Sequence, residues 1–198
     1  MMSNQLQHHL LHLDLPSGGV LVVSPICSLD EVLSANFTQE NLNQKRLCER
    51  FSWHKIAREM LNDPAAQFTY NDVGAPQIAG SELYISVSHS SSLVAVLISP
   101  ERCAVDIENL DRNFEKVASR YVSPSEALIS DDKKLLPQLW SIKEALYKFA
   151  GCKGVDFVAD ICVQSVDCEV FTASVLTESD LVCGAILQLH DHILAYIG

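Results

Sequence analysis

Apolar residues fall at every second position, or in short unbroken runs, over much of the chain. Elsewhere they recur at every third or fourth position. The first pattern predicts strands over Gln5–Leu15 and Gly19–Ile26, parted by the turn Pro16-Ser17-Gly18-Gly19. It also predicts strands at Leu83–Val87, Leu93–Ser99 and Arg102–Glu108. Four more follow in the tail, at Ile161–Val166, Glu169–Leu176, Leu181–His190 and Ile193–Ile197. The run Ser88-His89-Ser90-Ser91-Ser92 reads as a polar loop between two of these strands. The helical pattern begins with Ser28, an N-cap before Leu29-Asp30-Glu31. A longer helix is predicted over residues 39–61, where Leu42, Leu47, Phe51, Ile56 and Met60 occur without Gly or Pro, and Asn62-Asp63-Pro64 ends it. Residues 67–80, with Gly74, Pro76 and Gly80, read as loop. Residues 113–150 are helical in pattern, most clearly from Lys133 to Phe149. There Leu135, Leu139, Ile142, Leu146 and Phe149 form one stripe, with Gly151 as a C-cap. Helices and strands are mixed in both halves, so the expected class is α+β.

Composition narrows this picture. Of 198 residues, 48% are hydrophobic and 20% charged, and Gly and Pro together number 15. That excludes a disordered or collagen-like chain. Apolar runs such as Val20–Val23 and Leu93–Ile98 are far shorter than the roughly 20 residues a membrane helix needs. The N-terminal stretch lacks a basic start and a long apolar segment, so no signal peptide is expected and the expected location is cytoplasmic. The seven cysteines contain no CxxC pair and read as reduced thiols. A net charge of −11 speaks against a nucleic-acid partner. Residues 45–58 run the other way, with Lys45, Arg46, Arg50, Lys55 and Arg58 against Glu49. A basic spot on an acidic protein suits a small anionic ligand.

Three groups of residues could carry chemistry. Asp106 and Glu108 alternate with Val105 and Ile107 on a strand, so both carboxylates share the face away from the core. Such a pair is either a solvated face or an oxygen site for a hard cation such as Mg²⁺. Glu144 and Lys148 are four residues apart on the strongest helix, beside Lys143. They form either a surface ion pair or a base with a phosphate contact. Ser88-His89-Ser90 is a polar loop, an anion-binding turn or a Ser-His pair; no Gly-x-Ser-x-Gly elbow is present. No P-loop or dinucleotide glycine fingerprint occurs.

These groups stand in one order: Ser88-His89-Ser90, then Val105-Asp106-Ile107-Glu108, then Trp140-Ser141-Ile142-Lys143-Glu144-Ala145-Leu146-Tyr147-Lys148. Order and spacing resemble the 4′-phosphopantetheinyl transferases, most closely the larger single-chain class that acts on carrier proteins. The resemblance covers about residues 40–165. It implies a pseudo-dimer of two similar α/β halves, residues 1–98 and 99–198, with coenzyme A in the cleft between them. It further implies Mg²⁺-dependent transfer of the phosphopantetheine arm of coenzyme A to a carrier-protein serine, releasing adenosine 3′,5′-bisphosphate. On that likeness Asp106, Glu108 and Glu144 would hold the metal, with Glu144 also the base. Ser88, His89 and Lys143 would contact the coenzyme, and Lys148 its pyrophosphate and leaving oxygen. Glu126, in Tyr121-Val-Ser-Pro-Ser-Glu126, looks like the acidic residue of the family's Phe-Ser-x-x-Glu element and would be a catalytic residue on that likeness. Arg46, Arg50 and Arg58 would supply the 3′-phosphate site, and Arg112, Lys116 and Arg120 a docking face for the carrier. With both halves in one chain, a monomer completes the cleft. Two departures stand out. Gly74-Ala75-Pro76 replaces Gly-Lys-Pro, and Ala104 replaces the Gly of Gly-Ile-Asp, where a methyl could crowd the ligand or backbone. These departures motivate a second reading, a binding protein of the same fold that holds coenzyme A or carrier without transfer. A third is another metal-dependent phosphoryl-transfer enzyme or hydrolase.

Overall fold

The structure is a computed structural model that describes residues 9–127 and 135–198. The expected strand start before residue 9 and the helical positions 128–134 lie outside the described residues. Strands β1 (Leu11–Asp14), β2 (Val20–Pro25), β5 (Tyr84–His89) and β6 (Leu93–Ser99) form one antiparallel sheet in the order β1-β2-β6-β5. Helices α1 (Leu29–Ser34) and α2 (Gln44–Leu61) and the hairpin β3 (Phe68–Tyr70)–β4 (Pro76–Ile78) are inserted between β2 and β5. The second sheet is antiparallel in the order β7-β11-β10-β9-β8. Its strands are β7 (Ala104–Asn109), β8 (Ile161–Asp167), β9 (Val170–Val175), β10 (Val182–Leu189) and β11 (His192–Ile197). A 3₁₀ turn (Glu115–Arg120), α3 (Pro124–Ala127) and α4 (Leu135–Ala150) lie between β7 and β8. The class is α+β.

Local chemistry explains the ends of these elements. The Ser28 hydroxyl accepts from Glu31 N while the Glu31 carboxylate accepts from Ser28 N, a reciprocal cap on α1. Asn43 caps α2 by accepting from Arg46 N, so the helix starts five residues later than the apolar pattern alone gave. Asn62 closes α2 in the left-handed region at φ 49°. Residues 67–80 are not plain loop. Asn71 Oδ1 accepts from Val73 N and Ala75 N, and Gly74 takes φ 83°, folding the segment into the β3–β4 hairpin.

The residues of β6 are buried on both sides, as an unbroken apolar run demands. One face, with Val94, Val96 and Ile98, packs with Val22 under Trp53, Ile56 and Ala57 of α2. The other, with Leu93, Ala95 and Leu97, joins Leu21 and Val23 in a core shared with Val105, Ile107 and Leu194 of the second sheet. A third core lies under α4 around Leu139, Ile142 and Leu146. The edge strands β5 and β7 run side by side and are joined by side chains, the Ser86 hydroxyl accepting from Val105 N at 3.0 Å. A further link joins the two turns: buried His192 Nε2 meets Ser90 Oγ at 2.9 Å, and its Nδ1 meets Asp191 Oδ1 at 2.8 Å. The Ser90 hydroxyl accepts from Leu93 N, so this triad is built into a hairpin turn and acts as a clasp.

Candidate active site

Alternation on β7 divides its side chains as expected. Val105 and Ile107 enter the core between the sheets, and Asp106 and Glu108 face α4. Helix α4 packs across β7 and β11, bringing Trp140, Glu144 and Lys148 to the same place at steps of four residues. Lys148 Nζ donates to Asp106 Oδ1 at 2.9 Å and to the Val105 carbonyl at 2.8 Å. The Ser88 hydroxyl donates to the same Asp106 oxygen at 2.9 Å. Asp106 Oδ2 is buried with no hydrogen-bond partner. Glu108 Oε1 accepts from Trp140 Nε1 at 2.7 Å and pairs with Arg112, whose guanidinium lies over the Trp140 ring. Burial pushes the Glu144 carboxyl up to about 7, with Asp106 and Glu108 adding to the effect and Lys148 and Arg112 opposing it.

A groove leads to Lys148, at the edge of this cluster. It begins at a 290 Å³ cavity beside α2, where Arg46, Glu49, Arg50 and His89 face the aromatic rings of Trp53 and Tyr70. Through Gly74, Pro76 and Val87 it joins a 220 Å³ cavity. That one opens at Lys148 and Cys103 into a 570 Å³ cavity. The β3–β4 hairpin forms one wall throughout.

The structure brings Asp106, Glu108, Glu144, Lys148 and Ser88 together and sets Arg46, Arg50 and His89 at the far end of the groove. Other sequence expectations change. Ser88 and His89 are strand residues, paired with Ala95 and Val94 in β5–β6, because the hairpin ladder extends to the turn at Ser90. Ser88 faces Asp106, and His89 Nε2 lies 3.4 Å from Glu49. Arg58 sits two turns beyond Arg50 on α2, donates to the Ala66 carbonyl and is absent from the lining of the basic cavity. Lys143 and Glu126 are each 0% exposed and lie outside the groove. Lys143 Nζ donates to Glu126 at 2.7 Å and to the carbonyls of Phe157 and Ile161. Glu126 also accepts from Ser123 N and Val163 N. Adjacent helix positions point about 100° apart, so Glu144 facing the site sends Lys143 into the core. Burial lowers the Lys143 ammonium's pKa, and Glu126 counters it. Ala104 is fully buried within the α4 core, so its methyl packs there and does not crowd the groove. Arg112 is committed to Glu108, while Lys116 and Arg120 are exposed. Sequence reading missed Glu49, Tyr70 and the hairpin wall. Phe68-Thr-Tyr70 and Pro76-Gln-Ile78 around an Asn-to-Gly turn were the available signal.

Residues 102–196, the segment holding β7, α4 and the carboxylate cluster, match the family described as the 4′-phosphopantetheinyl transferase superfamily. That segment, just under half of the chain, is similar to the 4′-phosphopantetheinyl transferase superfamily. A 4′-phosphopantetheinyl transferase from Bacillus subtilis is 31% identical over 108 residues, which cover 50% of this chain. The chain spans about half the length of that relative, 47%. The superfamily match contains Asp106, Glu108, Glu144 and Lys148, whereas the basic cavity on α2 lies outside it. No helix among the described residues is long and apolar enough to cross a membrane.

Proposed function

We propose that the protein transfers the phosphopantetheine arm of coenzyme A to a serine of an apo carrier protein, releasing adenosine 3′,5′-bisphosphate. One observation carries this reading: a groove that starts beside Arg46 and Arg50 runs to Lys148, whose ammonium donates to Asp106 of the carboxylate cluster. Coenzyme A has a phosphorylated nucleoside, a pyrophosphate and a long neutral arm, and so matches a basic pocket, a lysine and a neutral cleft in that order.

The donor set suits a hard divalent cation. It is all oxygen and anionic, Asp106 Oδ2 is buried without a donor, and the Glu144 carboxyl lies well above its ordinary pKa. Among the described residues, no three such groups are preassembled around one metal position. Asp106, Glu108 and Glu144 would hold Mg²⁺, which when bound neutralises charge on the pyrophosphate. The chain's own residues do the rest. Arg46 and Arg50 anchor the nucleotide end by charge, with His89 beside them in the same cavity. Lys148 sits where the pyrophosphate would lie and stabilises the leaving oxygen. Glu144 accepts the serine proton as the serine oxygen bonds to phosphorus and the P–O bond to the departing nucleotide breaks. Glu126 and Lys143 hold α4 in register and do not touch substrate.

The test is incubation with coenzyme A, Mg²⁺ and a panel of apo carrier proteins, read by intact mass. A gain of one phosphopantetheine, lost with EDTA and reduced at least about 100-fold by Glu144→Gln, is the expected result. Ala75, in place of the family's lysine, supports a second reading: a coenzyme A-binding protein that transfers nothing. Coenzyme binding with no carrier gaining mass would establish it. Release of phosphate without carrier would instead mark a hydrolase.

A further inference from the structure

We propose that Glu49 selects the nucleoside end of the ligand, accepting a hydrogen bond from a neutral donor there, the base amine or the ribose hydroxyl. This rests on the coenzyme reading above.

Glu49 projects from α2 into the 290 Å³ cavity among Arg46, Arg50 and His89, and its side chain is only 7% exposed. Its Oε2 lies 3.4 Å from His89 Nε2. Its Oε1 is buried and has no hydrogen-bond partner, the Lys45 ammonium standing off at 3.7 Å. A buried anionic oxygen left without a donor is costly. A pocket serving phosphate alone would also gain nothing from a carboxylate, which repels it.

Both facts are reconciled by a ligand that brings an anion and a neutral donor together. A nucleotide does so: its phosphate meets the surrounding cations, while an amine or hydroxyl meets Oε1. The flat walls agree. Tyr70 lies under the Arg50 guanidinium, 4.7 Å from the ring centroid, and Trp53 lines the same cavity, so a planar heterocycle has surfaces to stack against. If Glu49 served only to hold His89 and Lys45, its loss would weaken every ligand alike.

Calorimetric titration separates these cases. Adenosine 3′,5′-bisphosphate, inosine 3′,5′-bisphosphate, which lacks the base amine, and 2′-deoxyadenosine 3′,5′-bisphosphate, which lacks the hydroxyl, are titrated into the wild-type protein and Glu49→Leu. The wild type should bind one analogue about ten-fold or more weakly than the parent, and which analogue suffers names the donor. Glu49→Leu should weaken the parent to within about two-fold of that analogue. Glu49→Gln keeps an uncharged acceptor and should fall between. It also serves if the leucine variant does not fold. Equal binding of all three nucleotides by the wild type, or a uniform loss in the variants, overturns the proposal alone. No binding of any nucleotide overturns it together with the coenzyme reading.

Discussion

Neighbouring residues Lys143 and Glu144 have opposite fates. Glu144 opens onto the site with a carboxyl pushed up to about 7, and Lys143 is fully enclosed with Glu126 and two carbonyls. A mutation at each should separate structure from chemistry. Removing one partner of a buried ion pair costs about 3–5 kcal/mol. Lys143→Met should therefore lower unfolding stability by about that amount in urea titration. Glu144→Gln should leave stability within about 1 kcal/mol and remove transfer. Ala75 gives the converse case. It is half-buried against the groove, in the turn where the resemblance leads one to expect a lysine. Ala75→Lys should tighten coenzyme A binding by about two- to five-fold, measured by calorimetry, since a partly exposed ion pair contributes up to about 1 kcal/mol. The sequence showed the carboxylates because period-two alternation places Asp106 and Glu108 together whatever the fold. It could not show that Lys143 turns inward, because Trp-Ser-x-Lys-Glu names residue types and says nothing of the 100° between them.

Helix α2 illustrates the limit of pattern at the level of one element. Its apolar residues were visible, but its role depends on two faces. One face puts Trp53, Ile56 and Ala57 on the first sheet, and Arg46, Glu49 and Arg50 line the groove. His54 joins an aromatic cluster with Phe37, Trp53 and Phe68. Both of its ring nitrogens lack partners, and burial pulls its pKa down to about 4, helped by Arg58 and Arg50. The folded state therefore keeps His54 neutral at pH values where the unfolded chain protonates it. Between about pH 6.5 and 4 the unfolded state binds the extra proton, so stability falls as pH falls through that window. His54→Phe should flatten this decline, saving about 2–3 kcal/mol at pH 4 relative to pH 7 in chemical denaturation. The β3–β4 hairpin escaped sequence reading because its strands are three residues each, shorter than any periodicity can register.

Across the whole molecule, the core between the two sheets makes folding of the halves interdependent. Leu97, Val105, Ile107 and Leu194 are at most 1% exposed there. The two tryptophans report on different sides: Trp53 packs against the first sheet and Trp140 against the α4 core. Single-tryptophan variants Trp53→Phe and Trp140→Phe should show coincident fluorescence transitions in urea. Leu97→Ala should move both together by about 2–5 kcal/mol. The α+β class was legible because the strand and helix periods alternate along the chain. The groove was not, since it joins residues 46 and 148 through a face-to-face contact that no local pattern encodes.

The chain passes from the strands of the first sheet to those of the second only once among the described residues, through Pro100–Cys103. No described strand is threaded back. Each sheet is thus complete within one continuous stretch, and a backbone cut at that crossing would sever no ladder. The site would then depend on two fragments re-associating through the apolar face between them. That arrangement suits a split reporter, in which joining the fragments restores Asp106 on one piece to its Ser88 contact on the other.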